Sequence, residues 1–175
     1  MLADENFILT KLYFFFLQLL LTHNLEALSI VRLAACFDQN QARANISQLK
    51  EFGRPDVSIG QDKIEIGQIF RGQWAADQKH VDLYCQTVNG VGKLPFFDVQ
   101  TCLLLQLVAL FDTFGLENLE NVRFIENQQI IFVEMILSYL RTKVGAGRSN
   151  TVLEKYLNYL PKLRILCEMI TKATI

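Results

Sequence analysis

The sequence has few of the residues that most often build catalytic or metal centres. It contains two histidines, His23 and His80, and four cysteines, no two of which have the C-x-x-C spacing of a structural zinc site. Neither histidine lies in an H-E-x-x-H or H-x-E motif, and Gly145-Ala146-Gly147 lacks the preceding strand of a phosphate-binding loop. We therefore expect that the chain is not an enzyme and holds no metal.

Charge is also scarce, and neither sign dominates. Charged residues make up 20% of the chain and the net charge is −1, so the basic patch of a nucleic-acid-binding domain is missing. Hydrophobic residues make up 51% of the 175 residues, which is enough for one domain with a sizeable core. The segment is thus expected to fold without contacting nucleic acid directly, and its apolar-flanked cysteines to be reduced core residues.

An apolar run near the N-terminus, residues 7–21, allows two interpretations. Lys11 and Gln18 interrupt it, it is shorter than the roughly 20 residues of a membrane span, and no small-residue cleavage site follows. A helix buried in a helical core, with no membrane partner, is therefore the preferred interpretation. The alternative is a membrane-associated or scaffolding helical protein anchored by residues 7–21. The polar triplet Thr22-His23-Asn24 predicts a break here, with N-cap chemistry for a helix from Leu25.

The rest of the pattern is helical apart from one predicted β-hairpin at residues 57–69, where glycines separate short apolar alternations. Helices are predicted over 77–88, 99–111 and 121–144, and from Ser149 or Asn150 onward. Gly90 and Gly92 are predicted to end the first, and Asp98 to cap the second. Residues 99–111 are apolar nearly all round, so that helix should be central and buried. Pro161 should kink or split the last helix.

Two stretches, residues 103–140 and 152–168, resemble the ligand-binding domain of nuclear hormone receptors. In the first, a helix ending in Leu-Phe is followed by an acidic turn, Gly-Leu and a valine that opens a long helix; those places are taken by Leu110, Phe111, Asp112, Gly115, Leu116 and Val122. The second is similar to the receptors' Leu-Leu-x-x-Leu-Pro-x-Leu-Arg segment, with Leu160-Pro161-Lys162-Leu163-Arg164 at its end. Residues 30–38 resemble the end of the central receptor helix. The segments Val31-Arg32-Leu33-Ala34 and Gly115-Leu116-Glu117-Asn118 are similar to those of the Rev-erb-like receptors and their ecdysone-induced insect relatives.

The resemblance implies an all-α layered helical sandwich with one small β-hairpin. Residues 1–24 would be a divergent N-terminal apolar helix, and residues 25–175 a partial ligand-binding domain. The implied function is that of a nuclear ligand-binding and dimerisation region, which regulates transcription through coregulators and a partner receptor.

The resemblance also implies two surfaces. A small apolar ligand would contact a pocket lined by Leu33, Phe37, Tyr84, Val88, Leu166 and Ile170. Another receptor would pair with the outward side of the last long helix, at Lys155, Asn158, Tyr159 and Lys162. No cofactor is expected: some Rev-erb-like receptors bind heme through a histidine, but Ile170 stands in its place here, and Cys167 alone is more typical of core.

The chain departs from the receptor pattern in two places, and each departure leads to a prediction. Thr22 stands where receptors have the lysine of the coactivator groove, and the activation helix would fall beyond Ile175, so we expect a truncated domain that binds coactivator helices weakly. Arg164 lies on an otherwise apolar helix and must be satisfied if it is buried. It is therefore predicted to be tied to carboxylates or helix-end carbonyls in the turn at residues 111–120.

Overall fold

The computed structural model describes residues 2–35, 37–38, 43–45, 63–65, 78–116, 119 and 121–173. These residues are mostly helical, which confirms the predicted all-α class. The six helices are α1 Leu2–Ala34, α2 Gln78–Gly92, α3 Val99–Leu110, α4 Val122–Val144, α5 Ala146–Leu157 and α6 Leu160–Ala173. Three short strands, β1 Phe37–Asp38, β2 Arg43–Asn45 and β3 Lys63–Glu65, lie between α1 and α2.

Helix α3 lies at the centre, packed between α1 and α4, while α1 also contacts α2 and α6, and α5 packs on α4. The side chains that form the common core come from all six helices, and the best buried include Ile30, Val88, Leu105, Ile136, Leu140, Tyr156, Leu163 and Leu166. The prediction that α3 is buried on all sides is wrong in part, because α1 and α4 leave one side open. On that side Val99 is 36% and Leu103 46% exposed.

The start of α3 was predicted correctly. Asp98 is its N-cap: the Asp98 carboxylate accepts from the Thr101 amide at 3.0 Å, and the Thr101 hydroxyl accepts from the Asp98 amide at 2.8 Å. This reciprocal capping box satisfies two amides that the helix itself cannot pair.

The predicted break at Thr22-His23-Asn24 is wrong, because α1 continues through the triplet to Ala34. The Thr22 hydroxyl donates to the Gln18 carbonyl one turn earlier, at 2.8 Å, as threonine can inside a helix. Asn24 is buried and donates to a distant part of the chain, so its side chain does not cap a new helix.

Helix α2 runs four residues further than predicted, past Gly90 to Gly92. A Cβ at Gly90 would overlap the ring of Tyr159, and a Cβ at Gly92 would lie 2.6 Å from the Ala34 carbonyl oxygen. Both glycines therefore allow close packing of α2 rather than ending it at the first of the two.

The last predicted helix is two helices. Helix α5 begins at Ala146, three residues before the earliest predicted start, and the chain turns at Asn158 and Tyr159 before α6. Pro161 lies in the first turn of α6, where its missing N–H would have no partner within the helix in any case. The predicted split at this proline is confirmed.

The strands are antiparallel in the order β1-β2-β3, with Ala44 opposite Phe37 on one side and Ile64 on the other. Strand β3 falls inside the predicted hairpin at 57–69, but its partner is β2, which lies outside that range. Val57 and Ile59 are outside the described residues, so the hairpin is not confirmed.

Candidate functional site

A cleft of about 360 Å³ opens where α1, α6 and the turn between α3 and α4 meet. This volume is at the small end of the range for ligand pockets. Its lining residues are His23, Asn24 and Ala27 of α1, Ala109 of α3, Asp112, Phe114 and Gly115 of the turn, and Leu160, Leu163, Arg164, Cys167 and Glu168 of α6.

The dominant contact in the cleft is an ion pair between Arg164 and Asp112. The Arg164 Nε donates to one carboxylate oxygen at 2.5 Å and Nη2 donates to the other at 2.6 Å, the two-pronged geometry that only arginine can make. The guanidinium carbon also lies 4.7 Å from the centre of the Phe114 ring, within cation–π range. The predicted tie between Arg164 and a carboxylate of the 111–120 turn is thus confirmed.

Helix α1 satisfies the backbone carbonyls at the same end of α3. The amide nitrogen of Asn24 donates to the Leu110 and Asp112 carbonyl oxygens, both at 2.9 Å. The Nε2 of His23 lies 3.0 Å from the Phe114 carbonyl oxygen, a distance that fits donation from the ring N–H. Helix-end carbonyls have no partner inside the helix, so this side-chain pairing keeps the end of α3 in place.

Sequence reasoning missed the role of Asn24, although the pattern contains a signal for it. Leu20, Asn24, Ala27 and Val31 follow the i, i+4, i+7, i+11 spacing of one helix face, and all four are buried. A single amide in such an apolar stripe is costly unless it is hydrogen-bonded, which indicates a tertiary partner rather than a helix cap.

Cys167 is the one thiol in the cleft lining. Burial, together with the smaller effect of the negative charges of Glu26 and Asp112, raises the pKa of Cys167 to about 12. At neutral pH the thiol is therefore protonated, which makes it a poor nucleophile and a poor anionic metal ligand. Among the described residues, no group of three histidine, cysteine or acidic side chains is arranged to hold a metal ion.

Four of the six predicted pocket residues lie in or against the packed core. Tyr84, Val88 and Leu166 are buried in the main core cluster and Leu33 packs against it. None of these four lines the cleft described above. The side chains of the other two predicted residues, Phe37 in β1 and Ile170 in α6, lie outside the described set. A ligand pocket among these residues stays a prediction.

The predicted pairing residues lie around the junction of α5 and α6. Lys155, Asn158 and Lys162 are exposed, as an interface would require, whereas Tyr159 is partly buried because it packs over Gly90 and against the core. The ammonium of Lys162 lies 4.6 Å from the centre of the Tyr159 ring. Pairing through this surface also stays a prediction.

Comparison with known proteins returned no relative: no family model matches the chain, and no curated protein or solved structure matches it significantly. Among the described helices, α1 included, none combines the length and the apolar character that crossing a membrane requires.

Proposed function

We propose that this chain is the ligand-binding and dimerisation region of a nuclear hormone receptor, with the layered helical sandwich of that family. In this proposal it acts in the nucleus, where its conformation governs binding of coregulators and of a partner receptor. The proposal rests on the resemblance of residues 103–140 and 152–168 to receptor sequences.

One contact gives the proposal its main structural support. Asp112 belongs to the first receptor-like stretch and Arg164 to the second, and the two side chains, 52 residues apart in sequence, form the bidentate ion pair of the cleft. A coincidental likeness of two separate segments would give no reason for their acidic and basic residues to meet. The contact therefore favours a common origin for both likenesses.

The arrangement of α6 suggests how such a region would work. Its inner side places Leu163 and Leu166 in the core, whereas Lys162 and Ile165 face solvent. The outer side of α6 continues the predicted pairing face, and the inner side packs among the predicted pocket residues. A partner and a ligand would thus act on opposite sides of one helix.

Receptor pairing is the direct test. Purified chain should bind at least one member of a panel of nuclear-receptor ligand-binding domains in a calorimetric or surface-based titration. The double variant Lys155→Glu/Lys162→Glu should weaken that binding at least about tenfold, or about 1.4 kcal/mol. The control variant Arg148→Glu, an exposed charge change elsewhere on α5, should leave the affinity unchanged. Absence of binding across the panel would contradict the proposal.

Coactivator binding is expected to be weak. Receptors use a lysine to interact with the C-terminal end of the bound coactivator helix, where a positive charge is favourable. The resemblance puts Thr22 in that place, and in the structure Thr22 is exposed with its hydroxyl donating to its own helix. A fluorescence titration with a Leu-x-x-Leu-Leu peptide should give a Kd well above about 1 μM, equivalent to some −8 kcal/mol. Tighter binding would show that a groove works without the lysine.

A further inference from the structure

Helix α4 has an apolar ridge on its outer side. Phe124, Ile131 and Met135 are 50%, 45% and 48% exposed. Their spacings of seven and four residues put them along one side of the helix, while Ile125 and Ile136 face the core. A row of large exposed apolar side chains on one helix is typical of an interaction surface.

The charges beside this ridge identify its occupant. Arg123 and Glu134 are both exposed and flank the ridge on the same side. They are eleven residues apart, about 16 Å along the helix axis, so they cannot pair with each other within one helix. A second α4 running antiparallel brings Phe124 of one copy opposite Met135 of the other. Arg123 then lies within about 3 Å, along the axis, of the level of Glu134 of the second copy.

The twofold symmetry of this arrangement repeats each contact. Both ends of the paired helices gain an Arg123–Glu134 contact, and Ile131 of each copy faces Gln128 of the other near the centre. In a parallel pairing, the twofold along the helices would put the charged flank of each copy on opposite edges of the pair, so neither Arg123 nor Glu134 would meet an opposite charge. The charge pattern therefore favours the antiparallel self-contact.

We propose that the ridge of Phe124, Ile131 and Met135 binds the same ridge of a second copy of this chain, with the two α4 helices antiparallel. Such an isologous contact uses up both ridges, so association stops at the dimer. One helix pair is a small interface, and the dimer is accordingly a weak one with a micromolar Kd. This surface is separate from the α5–α6 pairing face, and the proposal does not depend on the proposed function.

Sedimentation of the 175-residue chain between about 1 and 200 μM measures the association directly. We expect a monomer–dimer equilibrium that Ile131→Asp shifts to monomer, with at least about a tenfold rise in Kd. The milder variant Ile131→Ser, which adds no charge, should raise Kd in the same direction. Circular dichroism confirms that each variant is folded, which exposed positions should allow.

Charge reversal identifies the register. Arg123→Glu and Glu134→Arg should each weaken the dimer, and the double variant Arg123→Glu/Glu134→Arg should restore it, because the ion pair is then re-formed with its signs exchanged. Glu126→Arg is the matched control: Glu126 is exposed but lies roughly 200° around the helix from Phe124, so this variant should leave Kd unchanged.

Three results would overturn the proposal. They are a monomer over the whole concentration range, a dimer insensitive to Ile131→Asp, or a double charge variant that fails to recover. A monomer in which peroxide oxidises Met135 no faster than a buried methionine would assign the ridge to another segment of the same chain. Loss of dimer in the Lys155→Glu/Lys162→Glu variant, with Ile131→Asp unaffected, would assign self-association to the α5–α6 junction.

Discussion

The two ends of α3 are held by different polar chemistry. At the N-terminal end, Asp98 caps the helix through Thr101 and also accepts a hydrogen bond from the Tyr139 hydroxyl at 2.5 Å. At the C-terminal end, Asn24 donates to two carbonyls and Arg164 pairs with Asp112. One end is therefore organised by a local cap that a neighbouring hydroxyl reinforces, and the other by two side chains from distant helices.

This difference indicates which end depends on the whole fold. The contacts of Asp98 with Thr101 span three residues and form together with the first turn of α3. The contacts at the other end span 52 to 91 residues, so they exist only after α1 and α6 have docked. The C-terminal end should accordingly be more sensitive to substitution than the N-terminal end.

Truncation in the middle of α3 gives the reference value for this comparison. Leu105 is fully buried, so Leu105→Ala should lower the free energy of unfolding by about 2–5 kcal/mol. Leu107 is only half buried, and Leu107→Ala should cost less. Urea denaturation measures both. Equal midpoints for the wild type and both variants would mean that α3 is peripheral and that the contacts at its ends contribute little to the free energy of unfolding.

Arg164→Met should cost about 2–4 kcal/mol. The side chain of Asp112 is only 10% exposed, and the variant leaves its carboxylate without the guanidinium. The effect should fall below that of a fully buried pair because the Arg164 side chain is 33% exposed. Lys162→Met, an exposed change on the same helix, serves as control. If both variants have the same urea midpoint, the ion pair does not stabilise the C-terminal end of α3.

Asn24→Ala should cost about 1–3 kcal/mol, because it removes the hydrogen-bond donor of the Leu110 and Asp112 carbonyls at a buried position. Thr22→Ala, on the exposed side of α1, should stay within about 0.5 kcal/mol of the wild type. Thermal denaturation of the two variants separates these outcomes. A loss as large from Thr22→Ala would attribute the effect to the helix itself rather than to the contact.

Tyr139→Phe should have the smallest effect, about 1 kcal/mol, because it removes one hydrogen bond to Asp98 and leaves the capping box in place. Partial burial works against ionisation of Asp98, but the amide of Thr101 and the hydroxyls of Tyr139 and Thr101 outweigh it and lower its pKa. The lowered pKa of Asp98 therefore stabilises the folded state above the unfolded-state pKa of about 3.9. This stabilisation is lost as the pH falls through the folded-state pKa.

The variant should consequently lose less stability than the wild type when the pH is lowered from about 6 to about 3. Urea midpoints at the two pH values measure the difference. An identical acid response in Tyr139→Phe and the wild type would show that Tyr139 does not contribute to the lowered pKa of Asp98.

The parts of the fold that sequence reasoning predicted are those with local causes. Asp98 is an N-cap because of residues within one turn of it, and Pro161 marks the split of the last helix because it cannot continue one. Arg164 is the exception, because its partner lies 52 residues away. The cost of burying an unpaired guanidinium predicted that it would meet a carboxylate or a helix-end carbonyl.

The missed features have causes elsewhere in the chain. Asn24 could equally cap a new helix or lie within a continuous α1. The position of α3 decides between the two, because it places the Leu110 carbonyl where the Asn24 side chain can donate to it. The exposure of Leu103 follows from how far α1 and α4 extend around α3, which the composition of α3 does not contain. The contact of Tyr139 with Asp98 joins residues 41 positions apart that share no sequence motif.

The absence of a side chain at Gly90 has a mechanical consequence. It lets the Tyr159 ring rest directly on the backbone of α2, the helix that also contains Tyr84 and Val88. A molecule that binds at Tyr159 and displaces the ring removes a packing contact of α2. A shift of α2 would in turn change the position in which the ring packs. By thermodynamic reciprocity, occupancy at the α5–α6 junction and the packing around Tyr84 then influence each other by the same free energy. We therefore expect the predicted pairing surface and the predicted pocket to be coupled through the contact between the Tyr159 ring and Gly90.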